Sequence, residues 1–502
     1  MSDPAVQTTT GTVRGRLEDG VAVFRGIPFA APPVGPLRFQ SPAPAPRWDG
    51  VREADVFGPP PPQSRPGPPP PPPAGPVRHD PTDWLTVNVW TPDPGGAGLP
   101  VMVWIYGGAY RFGSSSEPDY DGATLARTGV VLVSANHRVG VDGYAQLDGA
   151  PANRGLLDIV ATLGWVRENI AAFGGDPDRV TVFGESAGGG AVASLLVMPA
   201  ARGLFHRAVA QSVPGTFFGT ALARDITTEL LTPLHLEPTA EALRDVAPER
   251  LLEALSALDA RMPSIERWGF VGGTPTPFSP VVDGDVLPTD PWTGLAAGAA
   301  PEIPLLVGSN RDEWRLWLLL GAPADGVTDE LADETMTAFG PGPARMRAAY
   351  PDASNEDLYT IARSDRMFRI PSLHLARAQT VGGGRAYHYE LTWPSPVFDG
   401  MLGACHGLDV PLVFGSPRQG MVGQLLGSPP TAGAVEVGAQ MRAAWTAFAR
   451  DGDPGWPLYD DGQRLTRVFD TGERGGVRAY PEEASYRLWA DTPIGILDVI
   501  LD

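Results

Sequence analysis

The 502-residue chain carries a formal net charge of −20, has one cysteine, and draws all 38 of its basic residues from arginine. The absence of lysine excludes enzymes that need a Schiff-base lysine or a P-loop lysine, and the acidic balance argues against nucleic acid as a partner, because phosphate binding needs a basic face. The single cysteine, Cys405, excludes an intrachain disulfide and argues against a cysteine-based metal site.

The first part of the chain holds short apolar runs and turns, followed by a proline-dense segment at about 59–76. Proline has no backbone N–H and favours the polyproline II conformation, so this segment cannot pair within a sheet. It can be interpreted as a ligand for a proline-recognising module or as a stiff surface loop. We favour the loop, because the motifs before and after it belong together.

Beyond residue 99, strands and helices alternate. Continuous apolar runs at 101–105 and 130–133 predict strands of a parallel sheet covered on both faces. Further strand candidates lie at 180–183, 304–307 and 386–391. Helical segments are predicted at about 156–170, 187–198, 225–260, 328–350, 355–381 and 434–450. This alternation predicts an α/β fold with a large, mostly parallel central sheet and helices on both faces.

Residues 184–188, Gly-Glu-Ser-Ala-Gly, fit the motif G-x-S-x-G. An apolar strand precedes the motif and an apolar helix follows it, so Ser186 is expected at a sharp turn that leaves its hydroxyl free. Such a turn needs small residues two positions before and after the serine, and Gly184 and Gly188 meet that need. The alternative is a glycine-rich turn in which the serine only caps a helix. The order of strand, turn and helix favours a nucleophile.

The sequence around this motif closely resembles the signature of the type B carboxylesterases, the family that includes cholinesterases and bacterial p-nitrobenzyl esterases. Several ordered blocks carry the resemblance across nearly the whole chain, namely 24–30, 32–33, 37–39, 153–158, 165–170, 173–188, 448–454 and 456–457. The resemblance implies an α/β-hydrolase fold and a serine hydrolase that cleaves carboxylic esters through an acyl-enzyme. It also implies one domain over 1–502, with helical insertions above the active site and no metal or organic cofactor.

Residues 107–109, Gly-Gly-Ala, follow the strand at 101–105. Backbone N–H groups at such a place can stabilise the negative oxygen that forms when a serine attacks an ester. The alternative is an ordinary tight turn. The resemblance implies that the N–H groups of Gly108, Ala109 and Ala187 form the oxyanion hole. The family often has a third glycine where Ala109 stands, and a backbone donor survives that change.

The chain order of nucleophile, acid and histidine in this fold leaves four histidines as candidates for the base. His374 is predicted in a helix, His388 in a strand, and His235 in a segment too close to the elbow. His406 lies in a loop among small residues and resembles the histidine loop of the family. We therefore predict that His406 is the base.

The acid of the predicted triad is Glu313, which stands just past the strand at 304–307 and resembles the catalytic glutamate of the family. The family usually has glycine after this glutamate, whereas Trp314 stands here. Asp312 remains a rival for the role. Asp283 is the third choice, since it is a turn residue in the family.

Two other functions remain open, one that keeps the predicted triad and one that does without it. A specialised acyl-transfer or lactone-opening enzyme would need the same triad, whereas some members of the family have lost the triad and act as binding partners. The expected partner is a small ester, with no nucleic acid and no membrane. The protein is expected to be cytoplasmic, because no leader segment or membrane-spanning run is evident, and to be a monomer or small homo-oligomer.

The chain also departs from the family at the entrance loop. The family commonly has a cysteine in the sequence Glu-Asp-Cys-Leu, but residues 82–85 here read Thr-Asp-Trp-Leu. The disulfide that closes this loop is therefore absent. We hypothesise that the proline-dense segment just upstream stiffens the loop instead, which predicts a well-ordered segment.

Overall fold

The structure is a computed structural model that describes residues 3–63, 73–78, 80–96, 98–321, 326–416 and 420–500. The centre of the proline-dense segment, 64–72, lies outside the described residues, so the prediction that the whole segment is ordered concerns residues that the structure does not describe. Both ends of the segment are described.

The strands are numbered along the chain. They are β1 (Ala5–Gln7), β2 (Thr12–Arg14), β3 (Arg16–Glu18), β4 (Val21–Pro28), β5 (Val51–Glu53), β6 (Thr86–Thr91), β7 (Leu99–Ile105), β8 (Val131–Ala135), β9 (Gly175–Glu185), β10 (Arg207–Gln211), β11 (Phe218–Gly219), β12 (Val281–Val282), β13 (Leu305–Asn310), β14 (Ala386–Leu391), β15 (Leu465–Phe469) and β16 (Gly476–Ala479).

Most of these strands form one sheet with the order β16-β15-β14-β13-β10-β9-β7-β8-β6-β4-β3. Neighbouring strands are parallel from β15 through to β8. Antiparallel pairs lie only at the two ends of this order, where β16 joins β15 and where β6, β4 and β3 follow β8. The predicted α/β fold with a mostly parallel sheet is confirmed.

The helices are also numbered along the chain. They are α1 (Ala123–Ala126), α2 (Gly140–Tyr144), α3 (Arg154–Asn169), α4 (Ala187–Leu195), α5 (Thr220–Leu231), α6 (Ala240–Leu243), α7 (Pro248–Asp259), α8 (Pro291–Ala296), α9 (Arg315–Gly321), α10 (Asp329–Ala338), α11 (Pro343–Ala349), α12 (Asn355–Ser364), α13 (Ile370–Val381), α14 (Asp409–Phe414), α15 (Ala432–Asp451) and α16 (Glu483–Trp489). A π-helical turn, Asp365–Arg369, joins α12 to α13.

Strand β7 shows why the central strands are apolar along their length. Val101, Val103 and Ile105 belong to one hydrophobic core, and Met102 and Trp104 belong to a second core. Successive side chains of a strand point to opposite faces, so a sheet covered on both faces needs an unbroken apolar run. Helices α3, α4 and α13 contribute to the first core, and α14 and α15 to the second.

Two of the predicted helical segments are divided in the structure. The segment 225–260 contains the end of α5 and the whole of α7, with the short α6 between them. Helix α7 begins at Pro248, which supplies the first residue of a new helix. The segment 328–350 holds α10 and α11, separated around a Gly-Pro-Gly sequence at 340–342. Proline and glycine end a helix at these points because proline lacks a backbone N–H donor and glycine loses more conformational freedom in a helix than other residues.

No helix among the described residues combines the length and the apolar character needed to cross a bilayer.

Candidate active site

Ser186 lies at the turn between the end of β9 and the start of α4, with φ of 57° and ψ of −125°. A positive φ is costly for a residue with a side chain, so the surrounding structure must hold this conformation in place. The turn directs the serine side chain away from the line of the strand. Only 9% of the surface of Ser186 is exposed.

The two glycines of the motif are required by backbone contacts. A Cβ atom at Gly188 would stand 2.0 Å from the carbonyl oxygen of Ile105, and one at Gly184 would stand 2.6 Å from the carbonyl carbon of Gly188. Both distances are far below van der Waals contact. The turn therefore forms only where both residues lack a side chain.

His406 connects Ser186 to Glu313. Its Nε2 atom lies 2.9 Å from Ser186 Oγ, and its Nδ1 atom lies 2.6 Å from Glu313 Oε2. All three side chains are nearly or fully buried. The structure thus brings together the three residues that the sequence singles out as nucleophile, base and acid.

Glu313 is fixed by hydrogen bonds that use its other carboxylate oxygen. Ser212 Oγ donates to Oε1 over 2.6 Å, and the backbone N–H of Asn310 donates to the same oxygen over 2.9 Å. The carboxylate is fully buried. Because each oxygen has a defined partner, Glu313 presents Oε2 to His406 in one orientation.

Asp312, the rival acid, faces away from the imidazole and holds the histidine loop. Its backbone N–H donates to the carbonyl oxygen of Ala404, and its Oδ2 atom accepts from the backbone N–H of Ala404, both over 2.9 Å. Burial raises the pKa of Asp312, but the Arg311 guanidinium outweighs this and lowers the pKa overall. Asp312 therefore anchors the loop two residues before His406.

Asp283 makes its hydrogen bonds within its own turn, where its Oδ1 atom accepts the backbone N–H groups of Asp285 and Leu287. The other histidines considered also lie elsewhere. His374 is on α13 and His388 is within β14, and burial lowers their pKa values to about 4 and about 3. Both are expected to stay neutral side chains packed in the interior.

Residues 107–109 run directly beside the elbow. A Cβ atom at Gly107 would stand 3.1 Å from Ser186 Cβ, and Gly108 and Ala109 both have positive φ, at 114° and 54°. Within the described residues, the N–H groups of Gly108 and Ala109 donate no hydrogen bond to another protein group. Ala187 is the first residue of α4, so its N–H has no acceptor within the helix. These three donors are available to a ligand.

The described ends of the proline-dense segment are hydrogen-bonded to the chain that follows residues 107–109. Gln63 Nε2 donates to the carbonyl oxygen of Gly113, and the N–H of Gly113 donates back to Gln63 Oε1, each over 2.9 Å. Ala74 donates its N–H to the carbonyl oxygen of Ser116 over 2.8 Å. The segment is therefore attached on both sides of 64–72 without a disulfide.

Glu185, the second residue of the motif, lies against the imidazole. Its Oε1 atom is 3.1 Å from His406 Nε2. Burial raises the pKa of Glu185 to about 8. Burial also opposes a charge on His406, but the carboxylates of Glu185 and Glu313 outweigh it and raise the pKa of His406 to about 9. The two groups interact and therefore titrate as a pair. Both keep their protons at a higher pH than an ordinary histidine or glutamate does.

Aromatic rings cover the imidazole. The ring centroids of Trp317 and Phe368 lie 4.7 and 4.4 Å from that of His406, and the two aromatic rings are nearly parallel to each other. Trp314, which replaces the usual glycine of the family, stacks on Trp317 at 4.5 Å. The replacement has therefore extended an aromatic wall and has left Glu313 in contact with His406.

Cys405 is fully buried beside His406, and burial raises the pKa of its thiol well above its usual value. A protonated thiol is a poor nucleophile and a poor metal ligand. Among the described residues, no group of three or more His, Cys, Asp or Glu side chains is placed to hold a metal ion.

Several residues of the site are not among those predicted from the sequence. Glu185 stood within the motif itself, so its place beside the nucleophile was a usable signal. Ser212 and Phe368 offered none, because each reaches the site from a distant part of the chain. Asp409 accepts hydrogen bonds from Gln211 and Tyr389, which also come from distant parts of the chain.

Comparison with known proteins places these observations in a family. The model of the carboxylesterase family matches residues 2–489. The chain is 36% identical to the para-nitrobenzyl esterase of Bacillus subtilis (strain 168), over 94% of this chain and 96% of that protein. It is 35% identical to the fumonisin B1 esterase of Sphingopyxis macrogoltabida, over 95% and 88%. The crystal structure of the Geobacillus stearothermophilus carboxylesterase Est55 at pH 6.2 has a TM-score of 0.83 and 34% identity, over 97% and 99% of the two chains.

Proposed function

The chain belongs to the carboxylesterase family, and on that premise we propose that Ser186, His406 and Glu313 are its catalytic triad. The protein is a serine hydrolase that cleaves carboxylic esters, and its substrates are small esters. The assignment of the three residues is supported above all by the continuous contact from Ser186 Oγ through the imidazole to Glu313 Oε2, over 2.9 and 2.6 Å.

The first half of the reaction forms the acyl-enzyme. His406 Nε2 takes the proton from Ser186 Oγ while that oxygen attacks the carbonyl carbon of the ester. The carbonyl electron pair moves onto oxygen and gives a tetrahedral oxyanion. When this intermediate collapses, the bond to the alcohol breaks, and His406 returns the proton to the departing alkoxide. Glu313 stabilises the imidazolium during both proton transfers.

The second half removes the acyl group. A water molecule gives its proton to His406 Nε2 and attacks the acyl carbonyl, and a second tetrahedral oxyanion forms. Its collapse breaks the bond to Ser186 Oγ, which recovers its proton from His406. The products are the carboxylic acid and the free enzyme. No step uses a metal or an organic cofactor.

The same proposal gives the oxyanion hole to Gly108, Ala109 and Ala187. Gly108 and Ala109 follow Gly107, where a Cβ atom would stand 3.1 Å from Ser186 Cβ, and both have positive φ. Ala187 follows Ser186 directly in the chain. Preorganised donors of this kind stabilise the transition state more than the ester, and each contributes about 100- to 1,000-fold in rate.

Substitution of the nucleophile tests the triad directly. Ser186→Ala should reduce turnover of p-nitrophenyl butyrate to the background of the buffer and abolish covalent labelling by an organophosphate. Ser256→Ala, on the exposed side of α7, is the matched control and should behave as the wild type. Full turnover by a folded Ser186→Ala protein would refute the assignment.

We also propose that residues 1–502 form a single domain with helical insertions over the active site. Both hydrophobic cores pack against the same central sheet, which supports this division. A cytoplasmic location and a monomeric or small homo-oligomeric state remain predictions, which cell fractionation and light scattering can test.

A further inference from the structure

Two arginines lie at the aromatic wall beside the triad. Arg363 is near the end of α12, and Arg366 is in the π-helical turn that also carries Phe368. The Arg363 guanidinium lies 4.1 Å from the ring centroid of Phe339 and 5.0 Å from that of Trp314, and the Arg366 guanidinium lies 4.5 Å from the ring centroid of Phe270. Both side chains are half-buried.

Neither arginine has an acidic partner among the described residues. Arg363 donates one hydrogen bond, to the carbonyl oxygen of Gly273 over 3.0 Å. Burial alone lowers the pKa of Arg366 to about 10, and burial also lowers that of Arg363, opposed only by Tyr359. No Asp or Glu among the described residues shifts the pKa of either guanidinium.

Among the described residues, the fully buried arginines use their donors on protein acceptors, either on an acidic side chain or, at Arg154, on backbone carbonyl oxygens. Arg138 lies 2.7 Å from Asp158, Arg111 lies 2.7 Å from Asp259, and both side chains are at most 3% exposed. The sequence offers 58 acidic residues for 38 basic ones, so acidic partners are abundant. Removing a guanidinium from water costs several kcal/mol unless an opposite charge compensates it, whereas stacking on an aromatic ring gives only about 0.5–2 kcal/mol.

The pair is connected to the reacting groups through ring contacts. His406 touches Trp317 at 4.7 Å, Trp317 stacks on Trp314 at 4.5 Å, and Arg363 lies over Trp314 at 5.0 Å. Phe270 and Phe339, under the two guanidinium groups, are themselves in contact at 5.5 Å. The arginines therefore lie against one largely buried aromatic cluster that ends at the catalytic imidazole.

We propose that Arg363 and Arg366 form an anion subsite that binds a carboxylate on the substrate while Ser186 attacks an ester group elsewhere in the same molecule. This inference rests on the proposed triad and names its substrate class, which is monoesters of dicarboxylic acids and related anionic esters. Each guanidinium retains donors that the protein does not use, and a carboxylate accepts such donors in charge-assisted hydrogen bonds.

The charge of the whole chain makes this local pair necessary. With a net charge of −20, the protein repels anions at long range. That repulsion is screened beyond about 8 Å at physiological ionic strength, so two nearby positive groups can reverse it inside the site. Recognition of an anionic ester therefore depends on these side chains.

The test compares charged and neutral esters of the same length. For the wild type and for Arg363→Gln, Arg366→Gln and the double variant, hydrolysis of monomethyl suberate and of methyl octanoate is followed by alkali uptake. We expect kcat/KM for the anionic ester to fall at least tenfold in the double variant, mainly through KM, with the neutral ester within about twofold. Lysine at both positions should restore part of the loss. Arg487→Gln, an exposed arginine on α16, is the control.

A measurement on the wild type guards against variants that fail to fold. Suberate should inhibit hydrolysis of p-nitrophenyl butyrate competitively, whereas sodium chloride at equal ionic strength should not. Equal loss of both esters in a folded double variant, or equal effects of suberate and salt, would overturn the subsite. Loss of the triad is a separate result, since it would remove activity towards the neutral ester as well.

Discussion

Ser186 and its two partners in the proposed triad are positioned by different physical means. Ser186 is held by sterics, because its turn sits between glycines that press against the neighbouring backbone. His406 and Glu313 are separated by 93 residues, and polar contacts from Asp312, Ser212 and Asn310 bring them together. The elbow should therefore tolerate no added atom, while the acid and histidine side should tolerate changes of shape and respond strongly to changes of charge.

The largest effect is expected from removing the charge of the acid. Glu313→Gln keeps the size of the side chain but presents a neutral amide to His406, so the imidazolium loses its stabilising charge and the imidazole can adopt the wrong tautomer. We expect kcat to fall by about four orders of magnitude. Steady-state kinetics on p-nitrophenyl butyrate measures this.

The control for that variant is Asp312→Asn, one residue away. The amide oxygen can still accept the N–H of Ala404, so the histidine loop should stay in place and kcat should change less than tenfold. A collapse of activity in Asp312→Asn with little change in Glu313→Gln would reverse the assignment of the two acids.

An intermediate effect is expected from one methyl group in the elbow. In Gly188→Ala the new Cβ would stand 2.0 Å from the carbonyl oxygen of Ile105, so the turn must shift. Overpacking of this kind costs about 1–3 kcal/mol of stability, and a displacement of the nucleophile of about 1 Å costs about a hundredfold in rate. Denaturant unfolding and kcat report the two effects.

Gly164→Ala is the matched control, since nothing lies within 4 Å of the new methyl group on α3. Alanine there should leave activity unchanged and stabilise the protein slightly. Wild-type kinetics and stability in Gly188→Ala would show that the elbow is not set by sterics.

The smallest effect is a shift along the pH axis. The acid limb of kcat/KM reports the base of the free enzyme, and the carboxylates beside His406 raise its pKa to about 9. Glu185→Gln removes one of them, so the limb should move towards the ordinary histidine value of about 6.5. The exposed Glu302→Gln should leave the limb in place. A limb that is unchanged in Glu185→Gln would contradict this account of the pair.

The same variant should change how stability depends on pH. The folded-state pKa of Glu185, about 8, lies above the ordinary glutamate value of 4.5, so the folded protein binds the proton more tightly. The contribution of this group to the free energy of unfolding is complete below about pH 4.5 and is lost as the pH rises to about 8. In Glu185→Gln this fall in the free energy of unfolding should be absent. Urea unfolding at several pH values can detect the difference.

The sequence was sufficient for features encoded by neighbouring residues. The elbow required only the strand, the motif and the helix in order, and the structure has β9, Ser186 and α4 in that order. The apolar run of β7 was equally clear, because both of its faces are buried against apolar residues. The locations of His406 and Glu313 came from family resemblance, and their roles stay predictions until they are tested.

Features set by distant contacts could not be read from the sequence. Strand β10 has only three apolar residues between Arg207 and Gln211, and it becomes a central strand because β9 and β13 pair with it. The π-helical turn places Phe368 on the imidazole, but nothing in its residues marks the extra residue per turn. Ser212 supports Glu313 across 101 residues, a distance at which sequence spacing carries no information.

The two edges of the large sheet have a consequence for how molecules of this protein meet. One edge is β3, of three residues, where Arg16 pairs with Asp3 and Asp55; the other is β16, of four residues, which carries Arg478. Short, charged edge strands are poor templates for β-augmentation by another chain. Fibril-like growth by strand addition is thereby disfavoured, and any self-association is directed to the helical faces.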